Sequence, residues 1–389
     1  EFGINATFNG VDMTGVNSYK DGVISRLYKG LSGLIKSRNV TYVEGFGKLV
    51  SPNTVEVNGT QYTGKNVVLA TGSYAKTLPG LDVDGKRVIT SDHALNMDYV
   101  PKSAIVLGGG VIGCEFASVW KSFGSEVTII EALPRLVALE DESSSKQLER
   151  AFRKRKIEFE VGSRFKSHTV NADSVTVTLE NDKSFTAEVL LVAVGRGPVS
   201  AGIGYEEQGI KMDRGYVLVD NKCRTNLPGV WAVGDLIPTL QLAHVGFQEG
   251  ILVAEEIAGL NPRPINYDGV PRVTYSEPEV ASVGLSTAVA KERGYDVVEI
   301  SYDLAGNGKS QILKTAGSVK LVAQKNGPVL GVHMVGDRVG ELLAEAQLIF
   351  NWEASADDVA PLIHAHPTMS EAMGEAFLAL AGKPLHAHG

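Results

Sequence analysis

Ala104 to Glu115 reads AIVLGGGVIGCE, with glycines at Gly108, Gly110 and Gly113. An apolar, strand-like run leads into G-x-G-x-x-G, and a helix-compatible segment follows from Val111 to Phe123. Glycines at this spacing allow a tight turn, close approach of backbone to a pyrophosphate, and packing of helix on strand. The phosphates would then sit at the positive N-terminus of the helix. The next apolar run, Val127 to Ile130, ends in Glu131. A carboxylate there accepts a ribose 2′-hydroxyl and repels a 2′-phosphate, which favours NAD(H) over NADP(H). Arg135 nearby works against that preference. The bland alternative is a glycine turn that holds no ligand. The flanking strand and helix and the placement of Glu131 favour the dinucleotide.

Around this unit the chain has the bulk of a multidomain enzyme. Its 389 residues are enough for two or three domains. Apolar residues make up 43%, and 43 glycines exceed the usual frequency of about 7%. The net charge of −8 is spread along the chain, with no basic patch to suit a nucleic acid. No apolar run approaches the length of a membrane span. The two cysteines, Cys114 and Cys223, form no metal or redox motif, and so few suit a reducing compartment. The opening Glu1-Phe2-Gly3 reads as a loop with no signal-like segment behind it.

Periodicity orders the rest. Tyr19 to Ser37 has helical spacing, and Val40 to Lys65 alternates around the hairpin signal Asn58-Gly59. Asn66 to Ser73 (NVVLATGS) reads as a buried strand ending in a glycine turn, and Pro79 to Pro101 as a linker. A charged helix is expected over Glu142 to Lys156, then strands ending in VLLVAVGRGP. Thr225 to Asp235 (TNLPGVWAVGD) ends a strand in Gly234-Asp235, ahead of a helix from about Val245. A carboxylate at the carboxyl edge of a sheet faces a ligand crevice. Asp235 equally suits a helix N-cap, and on the turn alone the cap is the simpler reading.

Near the end stands IHAHPTMSEA, Ile363 to Ala372. Proline keeps the preceding residue out of the helical region, so His366 is presented from an extended or turn segment. Histidine gains and loses a proton near neutral pH, and Glu371 is placed to orient its ring. The alternative is an ordinary loop histidine. His364 and His366 also share one face of an extended segment, but no third metal ligand is apparent, and no metal is expected. His386 and His388 read as solvated tail residues.

ATGS, GGGVIG with Glu131, AVGR, the Gly234-Asp235 turn, LAH at Leu242 to His244 and HAHPTMSE follow one another in an order that resembles the flavin-dependent pyridine nucleotide–disulfide oxidoreductases. The resemblance runs the length of the chain and is strongest to members that oxidise dihydrolipoamide. It implies an α/β fold: two Rossmann-like nucleotide-binding domains, the first incomplete, and a C-terminal α+β dimerisation domain. Residues 1–100 and 200–265 would belong to an FAD-binding domain, 101–199 to an NAD-binding domain, and 266–389 to the interface domain. Asp235 would contact the ribityl chain of FAD. Gly47, Thr71, Gly72, Ser73, Leu242, Ala243 and His244 would line the same flavin. Gly108, Gly110, Gly113, Glu115, Glu131 and Gly195 would hold NAD. His366 and Glu371 would be the acid–base pair, the His366–Pro367 bond would be cis, and the partners would be a second subunit and the lipoyl domains of 2-oxoacid dehydrogenase complexes. A two-fold interface over Asn266 to Gly389 would use Leu342, Leu343, Ala346 and Ile349. The compartment implied is the bacterial cytoplasm or the mitochondrial matrix.

The departure is at the front. The family pattern opens with a first glycine-rich βαβ unit and a C-x4-C redox pair, and neither lies within this sequence. A polypeptide limited to these residues is expected to bind FAD poorly, to keep NAD binding, and not to oxidise dihydrolipoamide. The alternatives are a glutathione-type reductase, a nicotinamide transhydrogenase, or an inactive dimerising nucleotide-binding module. A glutathione-type reductase would prefer basic residues where Glu131-Ala132-Leu133-Pro134 stands, and a transhydrogenase would not need His366 with Glu371.

Overall fold

The computed structural model describes residues 2–386; Glu1 and residues 387–389, His388 among them, lie outside the described residues. The chain forms two compact units. One takes in the residues up to Val11, 77–194 and those from 268 on; the other takes in 12–76 and 195–267.

The first unit contains a parallel sheet of five strands. In spatial order they are Val88–Thr90, Val189–Val192, Ser103–Leu107, Glu126–Ile130 and Ile157–Glu160. The three runs on one side, Val88–Thr90, Val189–Val192 and Ser103–Leu107, are almost continuously apolar because a parallel sheet is covered on both faces, whereas the outer strand Ile157–Glu160 alternates with two acids. Ile129, Ile130, Leu190 and Leu191 are fully buried, as are Leu148 and Phe152 of the helix Glu142–Lys154. Burying each such side chain contributes about 1.5–3 kcal/mol. The stretch 79–101 is therefore not a linker: Val88–Thr90 is buried throughout and pairs with Val189–Val192. Three residues are too few to show a period, and the partner lies about a hundred residues away in sequence. The chain order reverses between Ser103–Leu107 and Val189–Val192, and crevices form at the carboxyl ends of strands at such a switch.

The same unit holds an antiparallel sheet, in the order Arg272–Thr274, Glu279–Gly284, Val329–Gly336, Ser318–Gln324 and Val297–Asp303. The helices Leu343–Asn351 and Glu371–Leu380 share its core through Leu343, Ala346, Ile349, Ala372, Met373, Ala376 and Phe377. Three of the residues expected at an interface, Leu343, Ala346 and Ile349, thus face the chain's own sheet, and Leu342 is partly buried against it. Helical spacing marks an apolar face without saying what covers it. Exposed apolar residues here include Leu348, Trp352, Leu362 and Ile363, the last 98% accessible.

In the second unit the helix Met13–Ser37 buries none of its residues, although Leu27, Leu31 and Leu34 have apolar spacing. The strands Gly47–Ser51, Thr54–Val57 and Thr60–Thr63 form a meander, with Asn58 and Gly59 both at positive φ in the expected hairpin turn. Val67–Leu69 pairs in parallel with Val230–Ala232. Only Leu69 of the former strand is buried, so the fully buried strand expected at 66–73 is half exposed. A parallel core of two strands is a small fragment of a doubly wound sheet. No described helix is long and apolar enough to cross a membrane.

Candidate functional site

The glycine turn closes on the sheet as its spacing requires. Gly108 has φ +113°, and a Cβ there would stand 2.3 Å from the carbonyl oxygen of Ala193. A Cβ on Gly113 would meet the Gly108 oxygen at 1.9 Å. Gly110 caps the helix Val111–Phe123, with open space where its side chain would project. The first N–H groups of a helix have no intrahelical acceptor and point outward, which suits a pyrophosphate. Glu131 accepts hydrogen bonds from the N–H of Gly109 at 2.5 Å and of Leu133 at 2.7 Å, so its carboxylate lies against the turn. Arg135 donates to the carbonyls of Glu140 and Ala138 and to the Ser145 hydroxyl. Its guanidinium is committed there, which removes the objection to Glu131. Glu115 accepts from the N–H of Tyr275 at 2.8 Å, and burial raises its pKa. It ties the nucleotide helix to the end of the strand Arg272–Thr274.

In the second unit the ATGS and Gly-Asp turns meet. Ser73 donates to Asp235 Oδ2 at 2.6 Å and accepts from Arg196 Nε at 2.6 Å. The Thr71 hydroxyl donates to the Val199 carbonyl at 2.5 Å, and Gly72 has φ +70°. Asp235 lies inside the 3-10 turn Gly234–Leu236, whose N-cap is Val233. The capping reading is overturned: the carboxylate is held from the side by Ser73. Leu242 is the N-cap of the helix Ala243–Ile257, and Ala243 and His244 are exposed on its first turn. Gly195, at φ +110°, leads into the strand Arg196–Pro198, which pairs with Ser73–Ala75. Gly47 opens the first strand of the meander, at an exposed position. Two members of this cluster were not singled out from sequence. Arg196 was legible only as part of AVGR. Glu249, fully buried, accepts from the N–H of Gly234 at 2.6 Å; in sequence it is one more acid on a helix.

His366 and Glu371 do meet. The imidazole Nδ1 lies 2.9 Å from Glu371 Oε1, while Glu371 Oε2 accepts from the Thr368 N–H at 2.8 Å. Glu371 opens the helix Glu371–Leu380, where a carboxylate is favoured. The Thr368 N–H, followed by the bond to His366, lowers its pKa. An ionised carboxylate only accepts, so Nδ1 is the donor in this bond. The His366 side chain is 77% accessible. The His366–Pro367 bond is cis, as expected. His364 pairs instead with Glu345, at 2.9 Å, so the two histidines serve different carboxylates. His386 is not simply solvated; its ring lies 2.8 Å from Glu375.

Both cysteines are free and buried, burial pushes the Cys114 thiol up, and Cys223 is raised to about 12. A thiol held protonated is a poor nucleophile.

Residues 5–250 match the pyridine nucleotide-disulphide oxidoreductase family, and residues 270–377 match its dimerisation domain. The chain is 39% identical to mitochondrial dihydrolipoyl dehydrogenase 1 of Arabidopsis thaliana, over 99% of this chain and 78% of that protein. It is 38% identical to dihydrolipoyl dehydrogenase of Bacillus subtilis, over 99% of this chain and 86% of the relative. Among solved structures it superposes on LpdA of Mycobacterium tuberculosis with a TM-score of 0.89 at 24% identity, covering 96% of this chain and 84% of the other. The chain belongs to the pyridine nucleotide-disulphide oxidoreductase family. It is an oxidoreductase of the dihydrolipoyl dehydrogenase type, within a class whose cofactors are FAD and NAD.

Proposed function

We propose that this chain carries the nucleotide-binding and acid–base parts of a dihydrolipoamide dehydrogenase, acting on lipoyl domains of 2-oxoacid dehydrogenase complexes. The net reaction converts dihydrolipoamide and NAD+ to lipoamide, NADH and a proton. The observation that carries the reading is the His366–Glu371 pair, on an exposed side chain. Thiolate is the nucleophile in thiol–disulfide exchange, so a dithiol substrate must lose a proton before it attacks and reduces the C-x4-C disulfide of the family pattern. His366 Nε2 takes it, and Glu371 supports the imidazolium. Bound FAD would supply the two-electron relay between the dithiol and NAD+. Asp235, Ser73 and the first turn at Leu242 to His244 would orient the flavin; the Gly108–Gly113 turn with Glu131 and Glu115 would seat NAD. Steady-state NADH formation from dihydrolipoamide and NAD+ by the full-length enzyme tests the reading. Turnover confined to oxidised glutathione and a reduced nicotinamide would overturn it. Relatives named as mitochondrial and a relative from a bacterium support the mitochondrial matrix or the bacterial cytoplasm as its compartment.

Two expected results belong here. NADH should bind more tightly than NADPH, because Glu131 opposes a 2′-phosphate and Arg135 is engaged elsewhere. Fluorescence titration measures both; Glu131→Ala should narrow the gap, and equal affinities in the parent protein would refute the assignment. The enzyme should also be a two-fold dimer through residues 266–389, with Leu348, Trp352, Leu362 and Ile363 among the covered residues. A closed two-fold sets one patch against itself, and an obligate interface buries more than about 2,000 Å². A monomer by light scattering at micromolar concentration contradicts this.

A further inference from the structure

The carboxylate of Glu249 is fully buried within the helix Ala243–Ile257. It accepts three hydrogen bonds, from the Gly234 N–H at 2.6 Å, the Thr239 hydroxyl at 2.9 Å and the Tyr267 hydroxyl at 2.9 Å. A buried carboxylate is expensive unless it is fully bonded, so this one is held by design of its surroundings rather than by default. Its main-chain partner is the residue directly before Asp235, and that residue has φ +72°. The helix also runs close by: a Cβ on Gly246 would stand 3.4 Å from Gly234 Cα. The first turn of this same helix carries Ala243 and His244. One side chain therefore joins the Gly-Asp turn to the helix whose N-terminus is the other half of the candidate flavin contact.

We infer that Glu249 is a positioning residue for the flavin: it fixes Asp235 relative to Leu242–His244 so that both reach the bound cofactor in one geometry. The inference rests on the reading of Asp235 as a flavin ligand. Glu249 itself touches no flavin and acts through Gly234 and Asp235.

The test is a double-mutant cycle in the full-length flavoprotein, read as the Kd for FAD when the apoprotein is titrated by flavin fluorescence. Glu249→Ala and Asp235→Ala should each raise Kd by about 10–100-fold, the range for losing a hydrogen bond to a charged group. The double variant should be no weaker than Asp235→Ala by more than about threefold, since groups in one network are non-additive. Glu249→Gln should stay within about threefold of the parent. Its amide oxygen can accept from Gly234 while the two hydroxyls turn to accept from its NH2 group. A merely structural role would give additive losses and no such rescue. Where Glu249→Ala does not fold, Glu249→Asp takes its place, since the shorter stem withdraws the acceptor from Gly234 but keeps the charge. If Asp235→Ala leaves Kd unchanged, the flavin reading of Asp235 falls and the inference falls with it. If Asp235→Ala weakens FAD but the Glu249 variants are silent or additive, the inference alone is overturned.

Discussion

Replacing His366 by alanine in the full-length enzyme should slow dihydrolipoamide oxidation by about 10²–10⁴-fold, the usual worth of a positioned acid–base group. NADH-driven reduction of an artificial one-electron acceptor should fall far less, because that path involves no thiol. The geometry separates the two outcomes. His366 stands on an exposed turn, anchored through Nδ1 to Glu371, which is in turn held by the Thr368 N–H. Loss of an exposed ring removes little packing, so the fold should survive. Stopped-flow reduction by dihydrolipoamide and a steady-state acceptor assay report the two paths separately. Equal loss of both would mean that His366 has a structural role, and the acid–base assignment would fail.

A single methyl group at Gly113 should damage both stability and nucleotide binding. It would stand 1.9 Å from the Gly108 carbonyl oxygen and 3.1 Å from Val106 Cγ1. The first of these is backbone, which cannot swing aside as a side chain would. The helix Val111–Phe123 must move off the strand Ser103–Leu107, at a cost of about 1–3 kcal/mol for overpacking. The same movement carries the helix N-terminus away from the phosphates, so the Kd for NADH should rise by about tenfold or more, equivalent to about 1.4 kcal/mol. Gly110→Ala is the informative contrast. Among the described residues, no atom beyond the adjoining residues lies within 4 Å of its added carbon. It should unfold close to the parent temperature yet bind NADH more weakly, because the methyl group occupies space that the pyrophosphate approaches. Calorimetric melting and NADH titration give the two readouts. A Gly113→Ala protein that matches the parent in both would refute the packing argument.

Several features were legible because they are local. The glycine spacing at Gly108, Gly110 and Gly113, the hairpin at Asn58-Gly59, and the helices over 19–37 and 142–156 are each written within a few turns of chain. So was His366 with Glu371, five residues apart: a proline-fixed turn leading into a helix leaves the carboxylate little choice of neighbour.

Where partners are distant, the sequence was silent or misleading. Val88–Thr90 passed for linker because its parallel partner is Val189–Val192. Asp235 passed for a cap because nothing local announces that Ser73, 162 residues away, donates to it. Leu343, Ala346 and Ile349 had the right spacing for an interface but face their own sheet, since periodicity gives a face and not its neighbour. Glu249 carried no signal at all, because its role exists only once the helix Ala243–Ile257 lies against Gly234. The sequence by itself determined the class of protein, the glycine turn at Gly108 to Gly113 and the pairing of His366 with Glu371, all properties of short segments with fixed backbone demands. Tertiary structure alone decided which carboxylates are held by which donors, and which apolar faces remain exposed, because both depend on contacts between segments far apart in the chain.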